Sequence, residues 1–422
     1  MSTEKLYWND PFATEFEADH ARVASRDGRA SIVLERTLFY PEAGGQLADT
    51  GTLVLDEAVG TEARALPVSD VQVDDDGTIH HLVAIADTDA SLLAGLKNFS
   101  GAVRGAIDRD RRRDHMAQHT AQHMLSRALV DVAKAETVSA RLGATSCTID
   151  VGVAEMSDRA LASAEDLVNA VVTSDVVVRS LFPTADELSK LTLRRAPKVD
   201  ANIRIIEIEG FDLTPCGGTH CTRTGQIGIV RIAGVERYKG GLRISFHAGR
   251  RALDDARKKE RVLAELAKDF TCGVLDVGGA VGKLRTDLKA RLDALSATRG
   301  ELVELLAERV LAQHPPDPGG TTRVVLVRER DDIGMLRTLA GRVAARADVV
   351  AFCASPDPAA GPDSLDLAIV VQRGSGTSFD CGRWLKAAAA KHGGRGGGRP
   401  ERAEGRVARG VRLDDIAREE MP

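Results

Sequence analysis

The chain has 422 residues, of which 43% are hydrophobic and 28% charged, and its formal net charge is −5 at pH 7. It has no apolar run long enough to cross a bilayer, no signal sequence at its start, and only six irregularly spaced cysteines. We therefore exclude a membrane protein and a secreted disulfide scaffold, and expect roughly two to four domains in the reducing cytoplasm.

Residues 1–95 are predicted to form a small β-barrel or sandwich. Short β-prone runs such as Ala30–Leu34 alternate with turn clusters such as Asp74–Gly77, and no long helical pattern interrupts them. This part contains FYPEAGGQ at residues 39–46, followed by DTG at 49–51. Paired glycines after a proline favour a tight turn, and they also allow another chain to approach closely.

Residues 96–250 are predicted to form an α+β domain, because helical and strand-like patterns alternate along them. The periodicity predicts helices and strands in this order: a helix over 110–134, a strand over 144–153, a helix over 158–176, and strands over 203–208, 227–234 and 242–248. An arginine run at 109–113 begins the first helix. Such a run suits either a solvated face or a phosphate contact, although the net charge does not indicate nucleic-acid binding.

Two pairs of residues in this domain have the spacing of metal ligands. His119 and His123 are four residues apart on the first predicted helix, so that their imidazoles share one face. Cys216 and His220 have the same spacing, but Gly217 and Gly218 between them favour a loop. One thiolate and three imidazoles are a reasonable tetrahedral set, so we predict one zinc ion per chain.

Other interpretations of these pairs stay open. Either pair alone is more typical of ordinary surface or core-rim residues than of a metal site. A site with four protein ligands also suits a purely structural zinc, because it leaves no open position. Peptidase activity is not expected, because Thr120 and Gln122 occupy the positions where zinc peptidases carry a glutamate base.

Residues 251–314 are predicted to be a helical linker, in which a leucine seam is broken into two helices at Gly273, Gly278 and Gly279. Residues 315–422 are predicted to be a small α/β domain. Its elements are strands over 323–328, 349–353 and 367–372 and a helix over 380–392. The glycine-rich run at 393–400 has two interpretations, a flexible linker or a backbone nest that binds phosphate beside arginines.

Four motifs occur in an order that resembles one protein family. These are FYPEAGGQ with its DTG, HTAQH at 119–123, CGGTH at 216–220 and GGGRP at 396–400. Together they resemble the editing and C-terminal domains of alanyl-tRNA synthetase, and more specifically the long form of the free-standing alanyl-tRNA editing proteins of the AlaX family. Because the first motif begins at residue 39, we expect no aminoacylation domain and no aminoacylation activity.

The resemblance implies an aminoacyl-tRNA deacylase that acts in trans on Ser-tRNA(Ala), with Gly-tRNA(Ala) as a further substrate. It also implies a zinc ion that polarises a water or holds the substrate's amino group, and a homodimer formed through the C-terminal region. If all four ligands bind at once, hydrolysis requires either a fifth coordination position or the displacement of one ligand. In the second case we expect Cys216 to be displaced, because Gly217 and Gly218 make its loop adaptable. A C-terminal domain of this kind also occurs in DHH-type phosphoesterases, but Asp114-His115 is not their signature.

The resemblance suggests roles for further residues. The Gly218 and Thr219 backbone N–H groups are candidates to stabilise the oxyanion. The synthetase carries a glutamine after Val-Ser where this chain has Ala140, so Ser139 is the substitute for the substrate-hydroxyl contact. The candidates for tRNA contact are Gly44, Gly45, Gln46, Arg109, Arg112 and Arg399. Two alternatives stay open: a tRNA- or protein-binding module with a structural zinc, and a metallohydrolase of another acyl substrate.

Overall fold

The computed structural model describes residues 3–26, 29–55, 64–83, 102–197, 202–317, 320–329, 331–356, 367–408 and 412–418. The chain divides into two compact units, Met1–Glu265 and Leu266–Pro422. The expected mixture of helices and strands in more than one domain is confirmed, whereas the finer boundaries at 95, 250 and 314 stay predictions. Within the described ranges, no helix combines the length and apolarity needed to span a membrane.

The first unit begins with strands. They are β1 (Glu4–Lys5), β2 (Glu15–Ala18), β3 (Ala21–Arg26), β4 (Arg29–Leu34), β5 (Arg36–Thr37), β6 (Gly51–Leu55), β7 (Arg64–Val73), β8 (Ile79–Val83) and β9 (Val103–Ile107). Seven of them form a sheet in the order β2-β9-β6-β7-β8-β4-β3. Strand β9 alternates buried and exposed residues because successive side chains point to opposite faces. The predicted closure of this sheet into a barrel stays a prediction.

The remainder of the first unit mixes helices and strands. The elements are α1 (Arg109–Ala133), β10 (Thr137–Leu142), β11 (Cys147–Val151), α2 (Asp158–Ser174), β12 (Val178–Leu181), α3 (Ala185–Leu188), β13 (Ile205–Ile208), β14 (Asp212–Pro215), β15 (Val230–Tyr238), β16 (Gly241–Ala248) and α4 (Gly249–Asp269). The strands form two sheets, β10-β11-β16-β15 and β12-β13-β14. Apolar residues of α1 and of both sheets share one buried core, which fixes the helix that carries the histidine pair.

Both ends of helix α1 are set by single residues, a capping aspartate at its start and a left-handed residue at its end. The Asp108 carboxylate caps its start by accepting from the backbone N–H groups of Asp110 and Arg111. At its other end, Lys134 adopts a left-handed conformation with φ 54°. Helix α2 ends two residues earlier than predicted for the same reason, because Asp175 is left-handed with φ 47°.

The second unit consists of a long helix and an α/β sheet. Its elements are α5 (Val277–Gln313), β17 (Thr322–Val327), α6 (Ile333–Val343), β18 (Val349–Pro356), β19 (Leu367–Arg373), α7 (Cys381–Lys391), β20 (Arg395–Arg399), β21 (Arg402–Val407) and α8 (Leu413–Arg418). The sheet order is β17-β18-β19-β21-β20, and only the β17–β18 pair among these is parallel. The prediction of helix breaks at Gly278 and Gly279 is wrong, since both residues lie inside α5.

The glycine-rich run at 393–400 contains a strand. Gly396–Gly398 lie in β20, which pairs with β21 and packs against α7. A Cβ on Gly396 would lie 2.9 Å from Cγ of Leu385, and one on Gly398 would lie 2.3 Å from the carbonyl oxygen of Arg402. The glycines therefore permit close packing of helix and hairpin. Both earlier interpretations, the flexible linker and the phosphate nest, are wrong for this strand.

Candidate metal centre

The two predicted ligand pairs meet at one point of the first unit. Helix α1 supplies His119 and His123, and the loop after β14 supplies Cys216 and His220. Their ligand atoms all lie within 4.8 Å of one another. Nε2 of His119 lies 3.4 Å from Sγ of Cys216, and Nε2 of His220 lies 3.3 Å from it. The arrangement is that of a site able to hold one metal ion.

The protonation states of this cluster suit metal binding. Burial lowers the pKa of His119 to about 3 and the pKa values of His123 and His220 well below their usual range. These imidazoles are therefore neutral at pH 7, and a neutral imidazole offers a lone pair to a metal. Burial raises the pKa of the Cys216 thiol, so that a metal has to displace its proton on binding.

His123 provides a direct test of whether the residues fit a metal ion. Its Nδ1 is buried and has no hydrogen-bond partner in the described part of the chain. Oδ2 of Asp212 lies 3.8 Å from this nitrogen, and Asp212 is itself held by Arg194 and Thr214. A ligand histidine whose second nitrogen faces a carboxylate is common at metal sites. Together with three nitrogens and one sulfur, this arrangement is compatible with zinc.

Gln46 belongs to the metal centre, although the sequence suggested a role in tRNA contact. It is fully buried. Its Oε1 accepts from Nδ1 of His119 at 2.7 Å and from the backbone N–H of Thr219 at 3.1 Å, while its Nε2 donates to the Thr219 hydroxyl at 2.9 Å. One amide therefore orients both a histidine of α1 and the CGGTH loop, and its burial corrects the prediction that Gln46 contacts tRNA.

The turn before Gln46 explains why this glutamine reaches the cluster. Gly44 and Gly45 have φ values of 59° and 85°, which favour glycine. A Cβ on Gly45 would lie 2.6 Å from the carbonyl oxygen of Ala140, and the Gly45 carbonyl accepts from the N–H of Leu142. The glycine pair thus packs the turn against β10. Contact of Gly44 and Gly45 with tRNA stays a prediction.

Thr120, between the two histidines of α1, also orients a ligand. Its buried hydroxyl donates to the carbonyl of Met116 at 2.8 Å and lies 3.3 Å from Nδ1 of His220. The same oxygen accepts from the N–H of Cys221 at 3.1 Å. Because the Thr120 hydroxyl donates its proton to the Met116 carbonyl, Nδ1 of His220 must be the donor in the contact between His220 and Thr120. The lone pair of His220 is then on Nε2, beside Cys216.

The loop that carries Cys216 is clamped by two side chains that the sequence analysis missed. Arg204 donates to the carbonyls of Cys216 and Gly218 at 3.2 and 2.6 Å, and Nε1 of Trp8 donates to the carbonyl of Gly217 at 3.0 Å. A Cβ on Gly218 would lie 2.2 Å from Cε1 of His119. The loop is therefore held by three hydrogen bonds in this conformation, and the displacement of Cys216 stays a prediction.

The groups predicted to contact the reacting ester have other partners in this structure. The Gly218 N–H donates to Sγ of Cys216 at 3.4 Å, and the Thr219 N–H donates to Gln46. An oxyanion would have to replace these acceptors. Ser139 is exposed on β10, where its hydroxyl donates to Oδ2 of Asp150 at 2.7 Å. The roles of Gly218, Thr219 and Ser139 stay predictions.

The prediction that Arg112 contacts tRNA requires a correction. This arginine is 1% exposed, its Nε lies 3.1 Å from Oδ2 of Asp49, and its Nη1 donates to the carbonyl of Pro11 at 3.0 Å. Its positive charge is therefore paired inside the protein with Asp49, the aspartate of the DTG motif. Arg109 and Arg399 are exposed, and their contact with tRNA stays a prediction.

Comparison with known proteins agrees with this site. Residues 203–245, which include the CGGTH loop, match the family described as threonyl and alanyl tRNA synthetase second additional domain, and residues 320–419 match the DHHA1 domain. The alanine–tRNA ligase of Halorubrum lacusprofundi is 31% identical over 98% of this chain and 43% of its own length. That of Haloquadratum walsbyi is 31% identical over 74% of this chain and 32% of its own length.

The chain thus spans less than half the length of these curated relatives. A crystal structure of the C-Ala domain of Aquifex aeolicus alanyl-tRNA synthetase matches 23% of this chain and 84% of that domain, with 21% identity and a TM-score of 0.20. The two domain matches and the ligase relatives show that the chain is an AlaX-like protein related to alanyl-tRNA synthetase.

Proposed function

We propose that the chain is an editing hydrolase that removes serine wrongly esterified to tRNA(Ala), and that Gly-tRNA(Ala) is a further substrate. The observation that carries the proposal is the cluster of three buried histidines, His119, His123 and His220, with the half-buried Cys216. This cluster includes residues of a segment that matches a domain of alanyl and threonyl tRNA synthetases. Binding of tRNA(Ala) and self-association through the C-terminal region belong to the same proposal.

In this mechanism the protein's own groups prepare the site. A zinc ion held by the four side chains would supply Lewis-acid chemistry at the ester or fix the substrate's amino group. Gln46 and Thr120 hold His119 and His220 in the tautomers that present Nε2 to the cluster. Arg204 and Trp8 hold the Cys216 loop. Preorganisation of this kind removes the cost of ordering these groups when substrate binds.

Selectivity against correctly charged Ala-tRNA(Ala) is expected from hydrogen bonds to the serine hydroxyl. When alanine occupies the same pocket, the polar groups that would bind this hydroxyl stay unsatisfied. Sites built in this way discriminate by roughly 10⁴ or more. The correct ester would then survive while the serine ester is hydrolysed.

One observation favours a second candidate, a tRNA-binding module with a structural zinc. Four protein ligands complete a tetrahedron, and the hydrogen bonds of Arg204 and Trp8 oppose the release of Cys216. A closed site of this kind would stabilise the first unit without taking part in hydrolysis. The two candidates differ in one measurable respect: only the editing hydrolase would cleave the ester bond between serine and tRNA(Ala).

The deciding experiment measures deacylation of Ser-tRNA(Ala), Gly-tRNA(Ala) and Ala-tRNA(Ala) by purified protein of known zinc content. His123→Gln removes a ligand, and His115→Gln is the matched control, because His115 lies two turns earlier on α1 and outside the cluster. We expect fast loss of the serine ester, slow loss of the alanine ester, and a zinc-poor, inactive His123→Gln. Zinc-loaded protein that hydrolyses none of these esters would leave the structural-zinc module as the function.

A further inference from the structure

A cavity of about 620 Å³ opens at one end of the sheet of the second unit, beside the start of α6. The sheet contributes small residues to its lining, namely Ala368, Gly396 and Gly405, and the helix contributes Ile333. Its volume is within the range of ordinary small-ligand pockets. The lining includes no residue of the metal centre, so a ligand bound here would occupy a separate site.

The lining carries an excess of positive charge. It contains three arginines and three carboxylates, namely Arg337, Arg395, Arg406, Asp331, Asp332 and Glu404. Each carboxylate has an arginine partner outside the lining, in the pairs Asp331–Arg328, Asp332–Arg299 and Glu404–Arg402. The charges of the three carboxylates are therefore neutralised from outside, and the arginines of the lining make the cavity favourable for an anion.

Arg395 is placed to bind such an anion without breaking an existing ion pair. It is exposed at the start of β20, and its guanidinium has no hydrogen-bond or ion-pair partner within the part of the chain that the structure describes. Arg337, in contrast, donates to Glu404 from Nε at 2.9 Å and from Nη2 at 2.6 Å. A guanidinium presents its N–H donors in a planar fork that matches the oxygens of a phosphate group.

Ser355 offers a neutral hydrogen-bonding group on another side of the cavity. Its side chain is 2% exposed, and its Oγ has no hydrogen-bond partner among the described residues. Ser355 pairs with Ala368, which lines the cavity, and residues directly opposite in an antiparallel pair share one face of the sheet. Ala354 lies in the core on the other face. The hydroxyl is therefore directed towards the cavity, where a ligand oxygen would satisfy it.

Arg395 and Ser355 are too far apart to share one small ion. Strands β19 and β21 separate β18 from β20, and neighbouring strands are about 4.8 Å apart, so the two backbones are roughly 14 Å apart. A ligand with a phosphate at one end and a hydroxyl group at the other can span this distance, since the arginine side chain covers part of it. None of the described lining residues is aromatic, so a nucleobase would find no ring to stack on.

We propose that this cavity binds a small phosphorylated sugar or polyol, with its phosphate on Arg395 and one of its hydroxyl groups hydrogen-bonded to Ser355. Side chains hold the phosphate, and not a backbone nest, because Gly396–Gly398 are extended in β20. The surplus charge of the lining selects the phosphorylated form, and the Ser355 hydroxyl selects a ligand that is larger than the phosphate ion itself.

Binding is measured by isothermal titration calorimetry of the full chain at fixed ionic strength, with ribose 5-phosphate, ribose and inorganic phosphate as probes. We expect ribose 5-phosphate to bind more tightly than the other two. Arg395→Gln should weaken the binding of ribose 5-phosphate and of phosphate about 10-fold, whereas Ser355→Ala should weaken only that of ribose 5-phosphate, about 5-fold. Arg309→Gln is the matched control, because it changes an exposed arginine of α5 outside the lining.

Thermal unfolding of the unliganded variants separates loss of binding from misfolding. Ser355→Ala removes a buried hydroxyl without a partner, so its unfolding temperature should not fall below that of the wild type. Equal affinity for ribose and ribose 5-phosphate, or wild-type affinity for ribose 5-phosphate in Arg395→Gln, would overturn the site. Phosphate that binds as tightly as ribose 5-phosphate would overturn the contact with Ser355. Weaker tRNA binding in Arg395→Gln, without any binding of ribose 5-phosphate, would assign Arg395 to the tRNA backbone and overturn the site as well.

Discussion

The carboxamide oxygen of Gln46 lies 2.7 Å from Nδ1 of His119, although 73 residues separate the two in the chain. Because an amide oxygen can only accept, Nδ1 of His119 must carry the proton and Nε2 the lone pair. Nε2 is the atom that lies 3.4 Å from Sγ of Cys216. A glutamine at the end of the FYPEAGGQ motif therefore decides which nitrogen His119 can offer to a metal.

Replacement of Gln46 by methionine is expected to weaken zinc binding by about 10–100-fold, as is typical for the loss of a group that orients a ligand. The variant keeps all four ligands and removes only the partner of Nδ1 of His119. Zinc affinity is measured by competition with a chromophoric chelator. Gln72→Met is the matched control, because that amide donates to Asp70 in β7. Equal zinc affinity in wild type and Gln46→Met would contradict the positioning role.

The two glycines of the CGGTH loop are expected to differ in their tolerance of alanine. A Cβ on Gly218 would lie 2.2 Å from Cε1 and 2.4 Å from Nδ1 of His119, whereas a Cβ on Gly217 would have nothing within 4 Å. Gly218→Ala should therefore displace the imidazole and lose most bound metal, with overpacking that costs about 1–3 kcal/mol. Gly217→Ala should keep both metal and stability. Cobalt(II) absorption and urea unfolding report the two effects, and similar behaviour of both variants would refute this geometry.

Replacement of Arg112 is expected to lower stability, whereas replacement of Arg109 is expected to weaken tRNA binding. Arg112→Met leaves the buried Asp49 carboxylate unpaired, and the removal of one partner from a buried ion pair costs about 3–5 kcal/mol of unfolding free energy. Arg109 is exposed, so Arg109→Met should leave the free energy of unfolding within about 0.5 kcal/mol. Its effect should instead be weaker tRNA binding that depends less steeply on salt. Denaturation curves and filter binding measure these quantities, and a stable Arg112→Met would contradict the buried ion pair.

His81 is expected to make the first unit less stable in mild acid. Burial lowers its pKa from 6.5 to about 4, while its Nδ1–H donates to the carbonyl of Ile32 and its Nε2 accepts from the Thr37 hydroxyl. The unfolded chain takes up the proton first, so stability falls as the pH drops from about 6.5 towards 4. The loss between pH 7.5 and pH 5 should be about 2 kcal/mol.

The contribution of His81 is isolated by comparison with His81→Gln, both proteins being measured without metal. Other titrating groups are common to the two proteins, so the difference between their pH profiles reports His81 alone. Urea unfolding at pH 7.5 and pH 5 should show a smaller acid loss in the variant. Parallel profiles would mean that His81 already binds its proton in the folded chain.

Local sequence patterns were sufficient for some of the elements and for the two halves of the metal site, but they missed short strands such as β10, β12 and β14. The i, i+4 spacing of His119 and His123 places both on one face of α1, because a helix has 3.6 residues per turn. Alternation and apolar runs located strands such as β4 and β19 to within one residue at either end. Element ends were less accurate where a single left-handed residue decides them, as Asp175 does for α2.

Which residues share a helix face or a strand follows from local spacing, since these relationships depend on neighbours within a few positions. The contact between Gln46 and His119, the hydrogen bonds of Arg204 to the Cys216 loop and the burial of Arg112 depend instead on long-range packing. No periodicity marks such residues, because a hydrogen bond across 73 positions is decided by how the sheet and helix pack. A charged residue also looks the same in the sequence whether its side chain faces solvent or a buried carboxylate. Its role can be assigned only when the structure shows its partner.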